Sequence, residues 1–236
     1  MNNQKNNFDK QMQDVILNLP PRENPYSVLL HSCCAPCSSS AILKLACFFK
    51  ITVFYYNPNI DTAEEYFKRA EEQKHLISVY NNEKQIYNNK FPISVIEEKY
   101  FPEEFFEVSK GLENCAEGGE RCMRCYFLRI KKTAKRAEAE GFDFFTTTLS
   151  LSPLKNAEKI NAIGFSLSSE KSRWLPCDFK KRNGYLDSVK LSKELGSLSS
   201  SIIGGCIYLP NRKKILKCDF YRKAFVSMGI FLLPYL

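Results

Sequence analysis

The sequence predicts a single α/β domain in which a mostly parallel sheet is flanked by helices. Three observations predict it. Apolar runs of strand length alternate with longer runs of helical spacing, the pattern of parallel strands joined by crossover helices. A length of 236 residues suits one large domain that buries a core without staples. Hydrophobic residues at 44% and charged residues at 25% exclude a disordered or fibrous chain.

Residues 1–24 are polar and end in Pro20-Pro21, a frayed lead-in with room for one short helix; the α/β domain occupies residues 25–236. Residues 27–30 form a short buried strand. Residues 36–49 form a helix with Pro36 in its first turn, where the missing N–H costs nothing. Residues 51–56 are β-branched and aromatic, a second strand. Over 63–80, Ala63, Phe67, Ala70, Leu76 and Val79 recur at helical spacing. Residues 93–96 are a third strand. Over 121–140, Phe127, Ile130, Ala134 and Ala137 share one helical stripe, and Gly141 stops it. Residues 142–149 are a further strand, and 156–165, 186–195 and 212–228 are helical. In such sheets a ligand sits beyond the carboxyl ends of the strands. Those ends are polar here: His31-Ser32, Asn57-Pro58-Asn59 and Thr146-Thr147-Thr148.

The longest apolar stretch, 225–236, is too short for a membrane span and contains Ser227, Gly229 and Pro234. The N-terminus has no apolar signal region, so a cytoplasmic protein is expected. A net charge of +8 is compatible with a polyanionic partner.

Cysteine carries the chemistry. The chain has ten, and only two histidines, so metal binding must lean on thiolates, which favour zinc, copper(I) or iron–sulfur clusters. His31-Ser32-Cys33-Cys34-Ala35-Pro36-Cys37 lies between the first strand and its helix, where the positive helix end favours thiolate. Cys115 precedes Cys122-x2-Cys125, whose pair shares one side of a helix start, and Gly118-Gly119 lets the loop bend round a ligand. Structural zinc, a redox pair and iron–sulfur all remain open for that pair. Six thiols suffice for a four-thiolate cluster and more. Of the rest, Cys47 and Cys218 read as core and incidental, Cys177 lies in a loop able to reach the site, and Cys206 follows Gly204-Gly205. For His31, a structural and a ligand role are both open.

LLHSCCAPCS, YYNPNI, EGGERCMRCYFLRI, FTTTLSLSPLKN with INAIG, and DFKKRNGY together resemble the QueH-type epoxyqueuosine reductases, in order, from about Val28 to Tyr208. The resemblance implies an adenine-nucleotide-hydrolase-like (HUP-type) fold, a [4Fe-4S] cluster and a nearby second metal, iron. It implies reduction of the epoxide of epoxyqueuosine at the tRNA wobble position, with an electron donor the sequence does not name. Cys33, Cys34, Cys122 and Cys125 match the family's metal-binding cysteines. Cys37 occupies a position that the family fills with Cys or Asp, a candidate ligand for the second metal, and Cys115 competes for either role. The family often carries Cys-Gly-Cys where this chain has Gly204-Gly205-Cys206, so a disulfide between those two positions is impossible here; if the family needs that pair, Cys206 must find another thiol or the step is handled differently.

Removing an epoxide oxygen takes two electrons and two protons and leaves an alkene and water, so a redox cofactor is required. A neighbouring metal would act as a Lewis acid on the oxygen, and Asp178 is the expected proton donor or polar positioner, with Cys206 as a second catalytic candidate. The base must leave the anticodon stack to reach a recessed site. Arg129, Lys131, Lys132, Lys135 and Arg136, then 180–182 and 212–214, are expected to hold phosphates. Two rival readings are a zinc-stabilised RNA-binding module and an iron–sulfur tRNA thiolase. The first needs two Cys-x2-Cys knuckles, which Cys33-Cys34 fits poorly. The second needs a glycine-rich phosphate loop where CCAPC stands.

Overall fold

β1 (Tyr26–Ser32) and β2 (Phe49–Tyr55) are the longest strands, rich in branched and aromatic residues that suit a pleated surface. The structure, a computed structural model, describes residues 6–87 and 89–195. Its sheet adds β3 (Ser94–Glu97), β4 (Phe144–Thr147) and β5 (Arg173–Trp174) in the order β3-β2-β1-β4-β5, with every pairing parallel. Val28, Leu29 and Leu30 of β1 are wholly buried, as a central strand covered by helices on both faces requires. The helices are α1 (Phe8–Leu17), α2 (Ala35–Leu45), α3 (Ala63–Asn82), α4 (Lys84–Tyr87), α5 (Glu103–Ser109), α6 (Glu120–Ala139), α7 (Ala157–Ser166) and α8 (Gly184–Glu194). The chain winds outward from β1 to β3, then crosses back to β4. The winding therefore reverses between β1 and β4, and a crevice opens there beyond the strand ends.

Several predicted boundaries move for local reasons. The helix expected over 36–49 ends at Leu45, and Phe49 already opens β2. β4 stops at Thr147 rather than 149, because Thr147 Oγ1 accepts from Leu149 N at 3.2 Å and the chain tightens into a 3-10 turn, Thr148–Leu151. Three residues of the expected stripes face solvent instead: Ala63 is exposed, Phe67 is 52% and Phe127 41% exposed. The buried faces carry Arg69 and Gln73 on α3, and Cys122, Cys125 and Arg129 on α6. The predicted helix 212–228, the apolar stretch 225–236, Cys206 and Cys218 lie outside the described residues. Among the described residues no helix is long and apolar enough to cross a membrane.

Residues 6–24 are tied to the rest of the domain. α1 starts at Asn7, whose side chain accepts from Lys10 N, and it buries Phe8 and Met12. Asp9 pairs with Arg182 at 2.8 Å. Arg22 donates to both carboxylate oxygens of Asp143, at 2.7 and 2.6 Å, in a fork-to-fork pair. Asp143 also accepts from Ser27 N and Oγ, so one carboxylate joins the lead-in, the start of β1 and the approach to β4. Burial pushes its pKa up, but the hydrogen bonds from Arg22 and Ser27 outweigh that and hold it below the ordinary value.

Asp143→Asn should cost about 1–3 kcal/mol at pH 7, the usual loss for a charged hydrogen-bond acceptor. The native carboxylate has a lowered pKa, so its contribution is present above about pH 4 and drains as pH falls through the lower folded value. Urea unfolding should show the gap between wild type and variant closing in that acid range.

Candidate metal centre

The turn from β1 into α2 brings three thiols together. Cys33 leaves the strand, Cys34 is the N-cap of α2 in extended conformation, and Cys37 sits in the first turn with Pro36 before it. Their sulfur atoms all lie within 4.8 Å of one another, and Cys33 Sγ and Cys34 Sγ are 3.9 Å apart. Among the described residues this is the one group of three or more His, Cys, Asp or Glu so closely gathered. It stands at the mouth of the β1/β4 crevice, where Thr148 Oγ1 accepts from Cys33 N at 3.3 Å and lies 3.6 Å from its sulfur.

The triad shares its protons unevenly. Hydrogen bonds from Cys34 and Cys37 hold Cys33 well below the ordinary thiol range, against burial and helped by Lys155 and Arg129. Cys34 is pushed up to about 12, first by its bond to Cys33. Cys37 is raised too, by its bonds to Cys33 and Cys34 and by burial. One thiolate accepts two S–H donors, which is what soft ligands without a cation can do.

The second thiol segment is built on α6. Cys122 and Cys125 are buried, one turn apart on its inward side. Gly118 N donates to Cys122 Sγ at 3.3 Å from a loop that Gly118 turns at φ 81°. Cys115 is half-buried, and a Cβ at Gly119 would stand 2.6 Å from its sulfur, so glycine makes room for that thiol. The wholly buried Arg121 donates to the carbonyls of Leu112 and Glu113 and pins the loop. Cys115, Cys122 and Cys125 do not join the compact triad. The link between α6 and the strand ends is Arg129, one turn beyond Cys125, whose guanidinium reaches Asn57 and His31 at the ends of β2 and β1.

The other expected residues take different parts. His31 is wholly buried and pushed down to about 3, by burial first and then by Arg129, so it stays neutral. Arg129 Nε lies 3.3 Å from His31 Nε2, and a guanidinium only donates. Nδ1 lies 2.7 Å from Thr147 Oγ1, and Nε2 also lies 3.1 Å from the Tyr56 carbonyl. Both ring nitrogens are thus engaged in structure. Asp178 is buried and accepts from Lys180 Nζ at 2.5 Å, so it presents an ion-paired acceptor. Cys177 is a core thiol that donates to the Thr147 carbonyl at 3.5 Å, and burial raises its pKa.

The basic groups sort by exposure. Arg129 is 3% exposed and faces inward, so it holds no phosphate. Lys132 pairs with Glu104, Arg136 with Glu98 and Glu140, Lys180 with Asp178 and Arg182 with Asp9. Lys131 and Lys135 remain exposed on α6.

The donor set suits a thiolate-bound metal. Besides clustered sulfur, Gln73 Nε2 is buried without a hydrogen-bond partner among the described residues, while its Oε1 accepts from Ser32 Oγ at 2.6 Å and Ser38 Oγ at 2.8 Å, the residues flanking the cysteines. An unpartnered buried amide donor on a side chain anchored to this turn is the kind of group that supports ligated thiolates.

A family model described as "Epoxyqueuosine reductase QueH" matches residues 28–211. Curated relatives carrying that same name are similar over most of the chain. The Streptococcus pyogenes serotype M1 protein is 36% identical over 207 residues, 87% of this chain and 79% of its own. The Staphylococcus epidermidis protein is 34% identical over 218 residues, 91% and 89% of the two chains. The Thermotoga maritima protein is 32% identical over 194 residues, 80% and 93%.

Binding of one divalent cation to the metal-free triad should expel the protons of Cys34 and Cys37. Zinc titration in weak buffer with a pH indicator should therefore record proton release, and affinity should fall as pH drops. Uptake without proton release would show that the triad is not the ligand set.

Proposed function

The chain belongs to the QueH family, and on that premise we propose that it is an epoxyqueuosine reductase acting on tRNA at the anticodon wobble base. The reaction takes the substrate epoxide, two electrons and two protons to an alkene and water. The observation that carries this reading is the Cys33–Cys34–Cys37 triad at the β1/β4 crevice, at the place where a parallel sheet binds its ligand.

Cys33, Cys34, Cys122 and Cys125 are the proposed thiolates of a [4Fe-4S] centre, with Cys37 and Cys115 the ligands available to a second iron. When bound, such a centre supplies electrons one at a time from an external low-potential donor. The chain's own residues prepare the pocket. Thr148 borders the thiols with a hydroxyl and Gln73, anchored to the same turn, adds an amide, able to orient polar groups of the substrate or the ligated sulfurs. Asp178, paired with Lys180, is the proposed proton donor or polar positioner, and Lys180 also lies 3.5 Å from the Ser150 carbonyl. Lys131 and Lys135 offer exposed charge for anticodon-stem phosphates, and Phe127 beneath Lys131, at 5.5 Å, offers a face for stacking.

Cys34→Ala and Cys122→Ala, purified without oxygen, should lose the brown colour near 400 nm and all epoxide reduction, whereas wild type shows both. Full turnover by either variant, or a colourless active wild type, would refute the assignment. Affinity for tRNA should fall steeply with salt, and Lys131→Ala should lower the salt slope by about 1 if it holds one phosphate.

A further inference from the structure

Arg129 is the least expected residue in this core. Its side chain is 3% exposed, and a guanidinium cannot shed its charge. A buried cation ordinarily has a carboxylate beside it. Among the described residues Arg129 has none: Nη2 donates to Asn57 Oδ1, and Nε donates to the neutral His31. A site that keeps an unmatched cation out of water is built for an anion that forms there.

The same side chain spans the two thiol segments. It lies one turn beyond Cys125 on the buried side of α6. Asn57, which it holds, donates from Nδ2 to the Ser32 carbonyl at 3.0 Å, and Ser32 directly precedes Cys33. The bonds Arg129–Asn57–Ser32 thus run from the helix bearing Cys122 and Cys125 to the turn bearing Cys33, Cys34 and Cys37.

We propose that Arg129 is a positioning residue of the thiolate centre: its buried charge is the centre's fixed counter-ion, and its bond to Asn57 keeps the two cysteine segments in register. This rests on the metal-centre reading given above. A fixed positive charge favours whichever state of the centre is more negative, which is the reduced one, so Arg129 raises the reduction potential. In the metal-free protein Arg129 is a buried cation that no carboxylate matches among the described residues, and removing it relieves that burial instead of breaking a pair.

The test uses the full chain with Arg129→Gln and Arg129→Lys, reconstituted with iron and sulfide without oxygen. Three quantities are read: the midpoint potential by EPR-monitored redox titration, iron retention against a chelator, and thermal unfolding of the metal-free protein. R129Q should show a more negative midpoint and about 10-fold weaker iron retention, the usual scale for an outer-shell change. Metal-free R129Q should unfold at or above the wild-type temperature. R129K should recover most of the potential, because it keeps the charge, and less of the retention, because it lacks the planar donor to Asn57. A wild-type midpoint in R129Q, or a midpoint in R129K as low as in R129Q, would overturn the counter-ion role. Equal destabilisation of metal-free and loaded R129Q would reduce Arg129 to packing and overturn the proposal. Wild-type protein that takes up no iron under these conditions would remove the centre itself, and is distinguishable because the failure appears before any variant is made.

Discussion

Three thiols held within 4.8 Å of one another cannot all ionise unless a cation joins them. In the protein alone they settle for one thiolate, Cys33, supported by the protons of its two neighbours. That arrangement is a strained compromise of proton sharing, and the rest of the site is organised around it. The helix start of α2, the Thr148 hydroxyl at the end of β4, the buried amide of Gln73 and the guanidinium of Arg129 all bring positive or hydrogen-bond-donating character to one point. Each is supplied by a different element, and all converge where the winding of the sheet reverses. That convergence lies beyond the β1 and β4 ends, the place where a parallel sheet binds its ligand.

The sheet was legible because its strands obey local rules. Residues 26–32 and 49–55 are dense in branched and aromatic side chains, and the alternation with helices specified parallel pairing before any contact was known. The position of the chemistry was legible for the same reason, since strand ends and the CCAPC turn coincide. What periodicity misread were the helix faces next to the site. Phe67 and Phe127 followed an apolar stripe, yet the chain buries Arg69, Gln73 and Arg129 in their place. Hydrophobic spacing assumes that polar residues face water. Near a buried charged centre the assumption reverses, and a helix that breaks its own stripe is marking the site.

Two features near the site escape the sequence for one reason. Asp178 is expected as a proton donor or polar positioner, and Lys180 two residues on folds back to pair with it, a contact that no spacing rule announces. Arg129 was grouped with the exposed lysines of α6 because it stands in a basic run, while its register places it with Cys122 and Cys125. The short β5 and α5 gave too few residues for any period to register. The fork of Arg22 on Asp143 joins positions 121 residues apart and could be read only from the folded chain.

The most direct measurement is X-ray absorption at the iron edge on anaerobically reconstituted wild-type protein, with the same spectrum taken on the double variant Cys33→Ser/Cys125→Ser. The account predicts a first shell dominated by sulfur with an iron neighbour beyond it in wild type, and a partial replacement of sulfur by oxygen in the variant. Iron surrounded by oxygen and nitrogen in wild type, or a shell unaltered by removing one thiol from each segment, would contradict it.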